Sequence, residues 1–332
     1  MPSHPTFRSG QARGRIQEAA GRDERYDRRA FLRRSATAGI ALAGAGVLLP
    51  MLDCSSSPKD PPSCGLGCAG DVDHLEASIG HPLRYQRIYH RAEPFPGPEE
   101  QAAWSAGRYP VSSFKTLRAD GSPVPFADVM NGAADTQLLS LANAIRPSGS
   151  RPMLLLYFPE PEDDVADAPQ DFAPAFRHVR DVMGDLGTGV KWAHTLSHPA
   201  YTEGLGDLYY PGDDYVDYIT CDGYNWCPDA GHGTTKRTFS QLFTATNGFA
   251  EEKRKEWFVT EVGSWDDPAP GWSKASWIEG MGRTAKRWPA LRGIMWFNHD
   301  LADGFLCDWR IEDTPTAVDA FGALASEPYF RG

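Results

Sequence analysis

Pro152-Met153-Leu154-Leu155-Leu156-Tyr157-Phe158-Pro159-Glu160 is an unbroken apolar run that ends on a carboxylate. Its length and continuity predict a strand buried on both faces, as in a parallel sheet. Six runs of the same kind occupy residues 83–90, 109–114, 189–196, 215–221, 256–262 and 291–297. Helical patterns separate most of them, over 99–106, 133–145, 172–186, 239–254, 274–287 and 315–324. A first helix over 71–79 implies an earlier strand near 63–69, which brings the strands to eight. Strands alternating with helices predict a parallel sheet with crossover connections. Eight such units in roughly 270 residues match the size of a (β/α)₈ TIM barrel, with chemistry at the C-terminal strand ends. The competing fold is an open doubly wound sheet. Its phosphate-binding turn has only a loose echo in Gly65-Leu66-Gly67-Cys68-Ala69-Gly70, with no acidic residue at the expected distance. The prediction is therefore α/β, a single (β/α)₈ TIM barrel domain.

The N-terminal stretch reads differently. Residues 1–35 are polar and arginine-rich, ending in Asp27-Arg28-Arg29-Ala30-Phe31-Leu32-Arg33-Arg34, and small apolar residues follow over 36–52. Paired arginines before an apolar run predict a twin-arginine export signal over 1–53. The run is shorter than the roughly 20 residues a spanning helix needs, so no membrane span is expected. Cys54 precedes a Ser/Pro tether and resembles a lipoprotein attachment site, although Asp53 suits such a cleavage site poorly. An ordinary cleaved signal is the alternative. Residues 54–70 read as a linker plus the first strand, and 71–332 as the barrel domain. The expected destination is extracellular, periplasmic or lipid-anchored at the cell surface.

Nine of the 33 basic residues and five of the 44 acidic ones lie in 1–53, leaving 24 against 39 and a formal balance of −15. That surface repels nucleic acid and anionic lipid, so neither is an expected partner. Ten tryptophans suit a site that stacks on flat, weakly charged ligands. A monomer is expected.

A carboxylate at the end of a buried strand is costly unless it is used or paired. Glu160 ends the fourth strand, and Glu261 ends the seventh in Thr260-Glu261-Val262-Gly263-Ser264. Both converge over one barrel mouth, and two facing carboxylates are the equipment for cleaving a glycosidic bond. The plainer alternative pairs each with an arginine, but few arginines fall at strand ends. His90, His178, His194, His198 and His299 scatter over several strands without a ligand motif, so no metal and no cofactor are expected. Ser264 lacks the setting of a nucleophile elbow. A Cys227–Cys307 disulfide across the barrel top is expected in an oxidising compartment, with Cys64 and Cys68 able to close a small loop and Cys221 a buried thiol.

Tyr209-Tyr210-Pro211-Gly212-Asp213, Tyr215-Val216-Asp217 and Asp222-Gly223-Tyr224-Asn225-Trp226 resemble runs of glycoside hydrolase family 26, the β-mannanase family. Thr260-Glu261-Val262-Gly263-Ser264 resembles its nucleophile motif. Ile88-Tyr89-His90 with Pro94-Phe95-Pro96, and Phe176-Arg177-His178-Val179, resemble segments of its secreted bacterial members. The resemblance covers residues 71–330 and implies a retaining endo-β-glycanase acting on β-1,4-mannan or a related β-glycan. It implies Glu261 as nucleophile, Glu160 as acid/base, Tyr224 as a hydrogen-bond donor to the nucleophile, and Trp296 as an aromatic floor beneath the sugar. Asp222, Asn225, Trp226 and His90, within the matched segments, are the further substrate-binding candidates. Pro159 stands where the family has histidine, and Phe114 where relatives carry Trp. A non-catalytic carbohydrate-binding relative is therefore the alternative function. Glu162, two residues further from the strand and expected to point into the loop, is the alternative acid.

Overall fold

Eight parallel strands close into a barrel in chain order: β1 (Gly65–Gly70), β2 (Tyr85–Tyr89), β3 (Tyr109–Phe114), β4 (Met153–Tyr157), β5 (Val190–Ser197), β6 (Tyr218–Asn225), β7 (Glu256–Ser264) and β8 (Leu291–Asn298). The computed structural model describes residues 63–331 apart from 92–93, 165–166, 231–235, 268–270 and 305. The signal region, Cys54 and the Ser/Pro tether lie outside the described residues. The predicted (β/α)₈ barrel is the observed fold, with the strand expected near 63–69 present as β1.

Helices α1 (Val72–Ile79), α2 (Pro98–Ser105), α3 (Phe126–Met130), α4 (Asp135–Ile145), α5 (Pro161–Asp164) and α6 (Pro169–Met183) serve the first half of the barrel. The second half carries α7 (His198–Thr202), α8 (Gly206–Tyr209), α9 (Phe239–Lys253), α10 (Lys274–Ala285) and α11 (Pro315–Ser326). Their packing follows sequence period. In α6, Phe172, Phe176, Val179 and Met183 recur at helical spacing and are buried. Thr238 caps α9 by accepting from the Gln241 amide, and the Gln241 side chain returns the bond. Among the described residues, no helix is long and apolar enough to cross a membrane.

Strand alternation sorts side chains into two cores. Tyr85, Val111, Leu154, Leu156, Ala193, Phe258 and Met295 fill the barrel interior. Their neighbours of opposite parity, such as Trp192, Val259, Val262 and Trp296, pack outward under the helices. The interior has no spare room along β1: a Cβ at Gly67 would lie 2.6 Å from Cβ of Tyr85 and 2.7 Å from Cγ of Met295. Glycine there lets the large rings of β2 and β7 close the barrel floor.

Strand β6 differs from expectation. It starts at Tyr218 and runs to Asn225, four residues beyond the predicted end, so Asp222 and Tyr224 lie within the sheet. Asp217 terminates the preceding turn by bonding Trp192 on β5 through its backbone amide and its carboxylate. Next to it, β7 carries a register shift between Val259 and Val262. The shift places Thr260 and Glu261 both toward the interior, while Val259 and Val262 stay outside. Cys227 and Cys307 form a disulfide with Cα atoms 5.8 Å apart, joining the loops after β6 and β8. Cys64 and Cys68 do not close a loop of their own. Both are free buried thiols, Cys64 just before β1 and Cys68 within it, and four residues of largely extended chain separate them too far for a bond. Cys221 is a free buried thiol as expected.

Candidate active site

The irregularity in β7 delivers Glu261 to the barrel mouth, where three side chains converge on it. The Tyr89 hydroxyl donates to Oε1 at 2.8 Å and the Tyr224 hydroxyl to Oε2 at 2.5 Å. Nη2 of Arg87 lies 3.4 Å from Oε1. Arg87 is buried inside β2, bonded through Nη1 to the carbonyls of Ile88 and Val111, with its guanidinium 4.2 Å from the Tyr89 ring centroid. Burial first, then the Glu261 charge, push both phenols well above their ordinary range, so both remain donors. Phenol donors on both oxygens and a guanidinium alongside make a seat for a carboxylate anion. The expected partner Tyr224 is present. Arg87 supplies the arginine contact that a count of strand-end arginines misses, since it sits two residues inside its strand.

Beneath this group, Asp222 accepts from the Thr260 hydroxyl at 2.5 Å and is fully buried. Burial and the Glu261 charge push its carboxyl well up, against the pull of Arg87. Asp222 therefore lies in the floor of the site rather than at its opening.

Glu160 reaches the mouth from the end of β4. Phe158 and Glu160 both adopt left-handed backbone, φ 49° and 53°, on either side of Pro159. Such conformations cost about 1–3 kcal/mol each and persist only where the surroundings enforce them. Here the Phe158 amide bonds to the Phe114 carbonyl on β3, and the Glu160 amide to the Thr195 carbonyl on β5. Among the described residues, no side chain hydrogen-bonds the Glu160 carboxyl. Burial, followed by the negative charges of Asp222, Glu261, Glu162 and Asp163, holds it well above the usual carboxylate range.

Glu162 does not point into the loop. Its Oε1 accepts from the Ser197 amide at 2.5 Å, and Oε2 is buried without a partner. Desolvation pushes this carboxyl up to about 7. It straps α5 to the end of β5.

Three other predicted residues take structural places. Trp296 is fully buried and faces outward; its Nε1 donates to the Trp309 carbonyl at 2.6 Å, and its ring packs on Trp277 and Phe321. It forms no floor for a sugar, because strand parity turns Phe297 inward instead, edge-on to Tyr224 at 5.5 Å. Asn225 is buried, donating to the Ser264 hydroxyl at 2.9 Å and accepting from the Arg237 amide, so it ties loops together. His90 stacks on Phe95 with ring centroids 4.1 Å apart, and its Nε2 is 2.6 Å from Glu100. Trp226 does stand at the site, its ring centroid 5.3 Å from that of Tyr224. Beside them, Tyr89 is 44% exposed and opens an aromatic face to the cleft. Sequence reasoning passed over Arg87, Tyr89 and Phe297. The available signal was the period-two row Tyr85, Arg87, Tyr89, in which an arginine inside an apolar strand calls for an anion.

Among the described residues, no group of three His, Cys, Asp or Glu side chains could hold a metal ion. His178 pairs with Asp135 at 2.7 Å, His299 with Asp303 at 3.0 Å and His198 with Arg237 at 3.1 Å, all in separate places.

Two carboxyls stand at the C-terminal mouth of a closed barrel, the end at which such barrels carry their chemistry: one is held by phenol and guanidinium donors, the other is raised by burial and neighbouring acids. The fold is that of the glycoside hydrolase family 26 mannanases. The catalytic domain of a family 26 endo-β-1,4-mannanase from Bacillus sp. JAMB-750 superimposes with a TM-score of 0.58 at 16% identity, over 81% of this chain and 87% of that one. A family 26 β-mannanase from Bacteroides ovatus gives 0.57 at 15%, over 82% and 88%. A fungal β-1,4-galactanase gives 0.56 at 13%, over 77% and 93%. At these identities the likeness is one of fold. In sequence, Endoglucanase H of Acetivibrio thermocellus is 28% identical over 218 residues, 60% of this chain. The chain spans only 23% of the length of that protein. No family model matches the sequence.

Proposed function

We propose that this protein is a retaining glycoside hydrolase of the β-mannanase type, cleaving β-1,4-mannan or a related β-glycan within the chain. The observation that carries the reading is the contrast between the two mouth carboxyls. Glu261 is seated as an anion by Tyr89, Tyr224 and Arg87. Glu160 is kept protonated by burial and by the surrounding acids. In the first step, Glu160 gives its proton to the leaving glycosidic oxygen while Glu261 attacks the anomeric carbon and forms a glycosyl ester. In the second, Glu160 takes a proton from water, which attacks the same carbon and releases Glu261. Tyr89, Trp226 and Phe297 supply aromatic walls for the sugar rings, and the relatives named mannanases and endoglucanase support the substrate class.

The test is hydrolysis of mannan, mixed-linkage glucan and xylan, followed from the first minutes by ¹H NMR of the anomeric protons. Release of product with retained β configuration from at least one of them is expected. Inverted product overturns the mechanism, and binding without product favours the non-catalytic carbohydrate-binding alternative. The same reading takes the chain as exported through the twin-arginine route, which suits the Cys227–Cys307 disulfide. Replacing Arg28 and Arg29 by Lys should then leave the precursor in the cytoplasm; normal export of that variant would overturn the claim.

A further inference from the structure

Gly263, two residues past Glu261 on β7, is the strand partner of Tyr224 on β6. A Cβ at this glycine would lie 2.7 Å from both Cγ and Cδ1 of Trp309. The glycine therefore opens a slot beside the phenol, and Trp309 fills it from the loop after β8. The indole lies against the Tyr224 ring with centroids 4.8 Å apart and planes 32° from parallel. It also meets Trp226 at 5.0 Å and Phe297 at 5.7 Å. We propose, resting on the assignment of Glu261 as nucleophile, that Trp309 is a positioning residue for it: the indole holds the Tyr224 phenol aimed at Oε2 of Glu261.

The loop that carries Trp309 is fixed on both sides of it. Two residues earlier, Cys307 is bonded to Cys227, which follows Trp226 in the chain. The Trp309 amide donates to the His299 carbonyl at 2.9 Å, and its carbonyl accepts from Nε1 of Trp296 at 2.6 Å. Arg310, next in the chain, pairs with Asp300 and Asp308. The indole is 1% exposed, so it offers no face to a sugar. What it restricts is the phenol. A tyrosine ring swings about two side-chain torsions, and a hydrogen bond weakens steeply as its angle closes. The Tyr224 hydroxyl must stay on Oε2, 2.5 Å away, for the carboxylate to keep one direction of attack. Trp309 acts through that hydroxyl.

Trp309→Leu in the full protein should lower kcat on polysaccharide about tenfold and leave KM within about twofold, because the lost alignment is felt in the transition state. In a Tyr224→Phe background the same change should lower kcat by less than about twofold, since no hydroxyl is left to aim. Gly263→Ala pushes on the indole from the strand side and should lower kcat in the same way. Adding Trp309→Phe, whose smaller ring makes room for the methyl group, should recover most of that loss. Losses that multiply with Tyr224→Phe overturn the proposal. So does a rise in KM with kcat unchanged, which would make Trp309 a support for the sugar walls instead. A readout free of turnover is the low-field ¹H resonance of the Tyr224 hydroxyl, assigned by its loss in Tyr224→Phe. It should broaden away by exchange with water in Trp309→Leu and persist in Trp309→Phe. A resonance as sharp in Trp309→Leu as in the parent protein overturns the proposal. If Trp309→Leu does not fold, Gly263→Ala carries both measurements. Full turnover by Glu261→Ala would instead overturn the nucleophile assignment, while the hydroxyl resonance would still report on Trp309.

Discussion

Glu261 receives a phenol on each oxygen and has a guanidinium 3.4 Å away, whereas Glu160, across the mouth, receives no side-chain hydrogen bond among the described residues. One carboxyl is placed by partners that reward its charge. The other is placed by backbone, through two left-handed residues pinned to β3 and β5, among acids that penalise its charge. On the proposed mechanism, that difference sets two identical functional groups to opposite work in one barrel. A nucleophile must be ionised and fixed in direction, and multiple donors accomplish both. An acid must hold a proton at neutral pH, and desolvation with like charges accomplishes that without any direct contact.

That contrast predicts a graded series of losses. Glu261→Ala should abolish turnover, lowering kcat by about 10⁴-fold or more on every substrate. Residual activity at wild-type level would show that the seat on β7 does not hold the nucleophile. Glu160→Ala should cost about 10²–10⁴-fold on polysaccharide yet spare the first step with dinitrophenyl glycosides, because only poor leaving groups need the proton. Equal losses on both substrates would erase the distinction between the two carboxyls. Tyr224→Phe and Tyr89→Phe each remove one donor to a charged acceptor and should lower kcat about 10- to 100-fold, with the melting temperature little changed.

Smaller effects fall on stability. Glu162 has a folded-state pKa raised from 4.5 to about 7 by burial, so its contribution is fully present below pH 4.5 and is lost as pH rises through 7. Glu162→Gln should remove about 1–2 kcal/mol of that decline, the half-buried side chain limiting the size. Denaturant melts at pH 4.5 and 7.5 would show it; an unchanged pH slope would mean Glu162 titrates normally. Trp296→Phe removes one hydrogen bond, to the Trp309 carbonyl, and should cost about 1 kcal/mol while KM stays at its original value. A large rise in KM would return Trp296 to the sugar-binding floor and contradict its outward placement.

The sequence by itself determined the barrel and the two carboxylates. Apolar runs and helical repeats are local signals, and eight alternations within roughly 270 residues leave few architectures that cover every strand on both faces. Glu160 and Glu261 were legible because a carboxylate at the end of an apolar strand breaks the local pattern, and Cys227 and Cys307 because each follows a strand end. Only the tertiary structure decided which side chains meet those carboxylates. The irregularity in β7 turns Glu261 inward next to Thr260, and no local rule announces a single added residue in a strand. Parity then separates Phe297 in the cleft from Trp296 under the helices, although both are large aromatics at the same strand end. Asn225 and His90 stand in matched segments yet are spent on Ser264 and Glu100, partners 39 and 10 residues away in the chain. Arg87 and Tyr89 lie 174 and 172 residues from Glu261. Their contact exists because β2 and β7 share one closed sheet, and closure, being a property of all eight strands together, is written in no single segment.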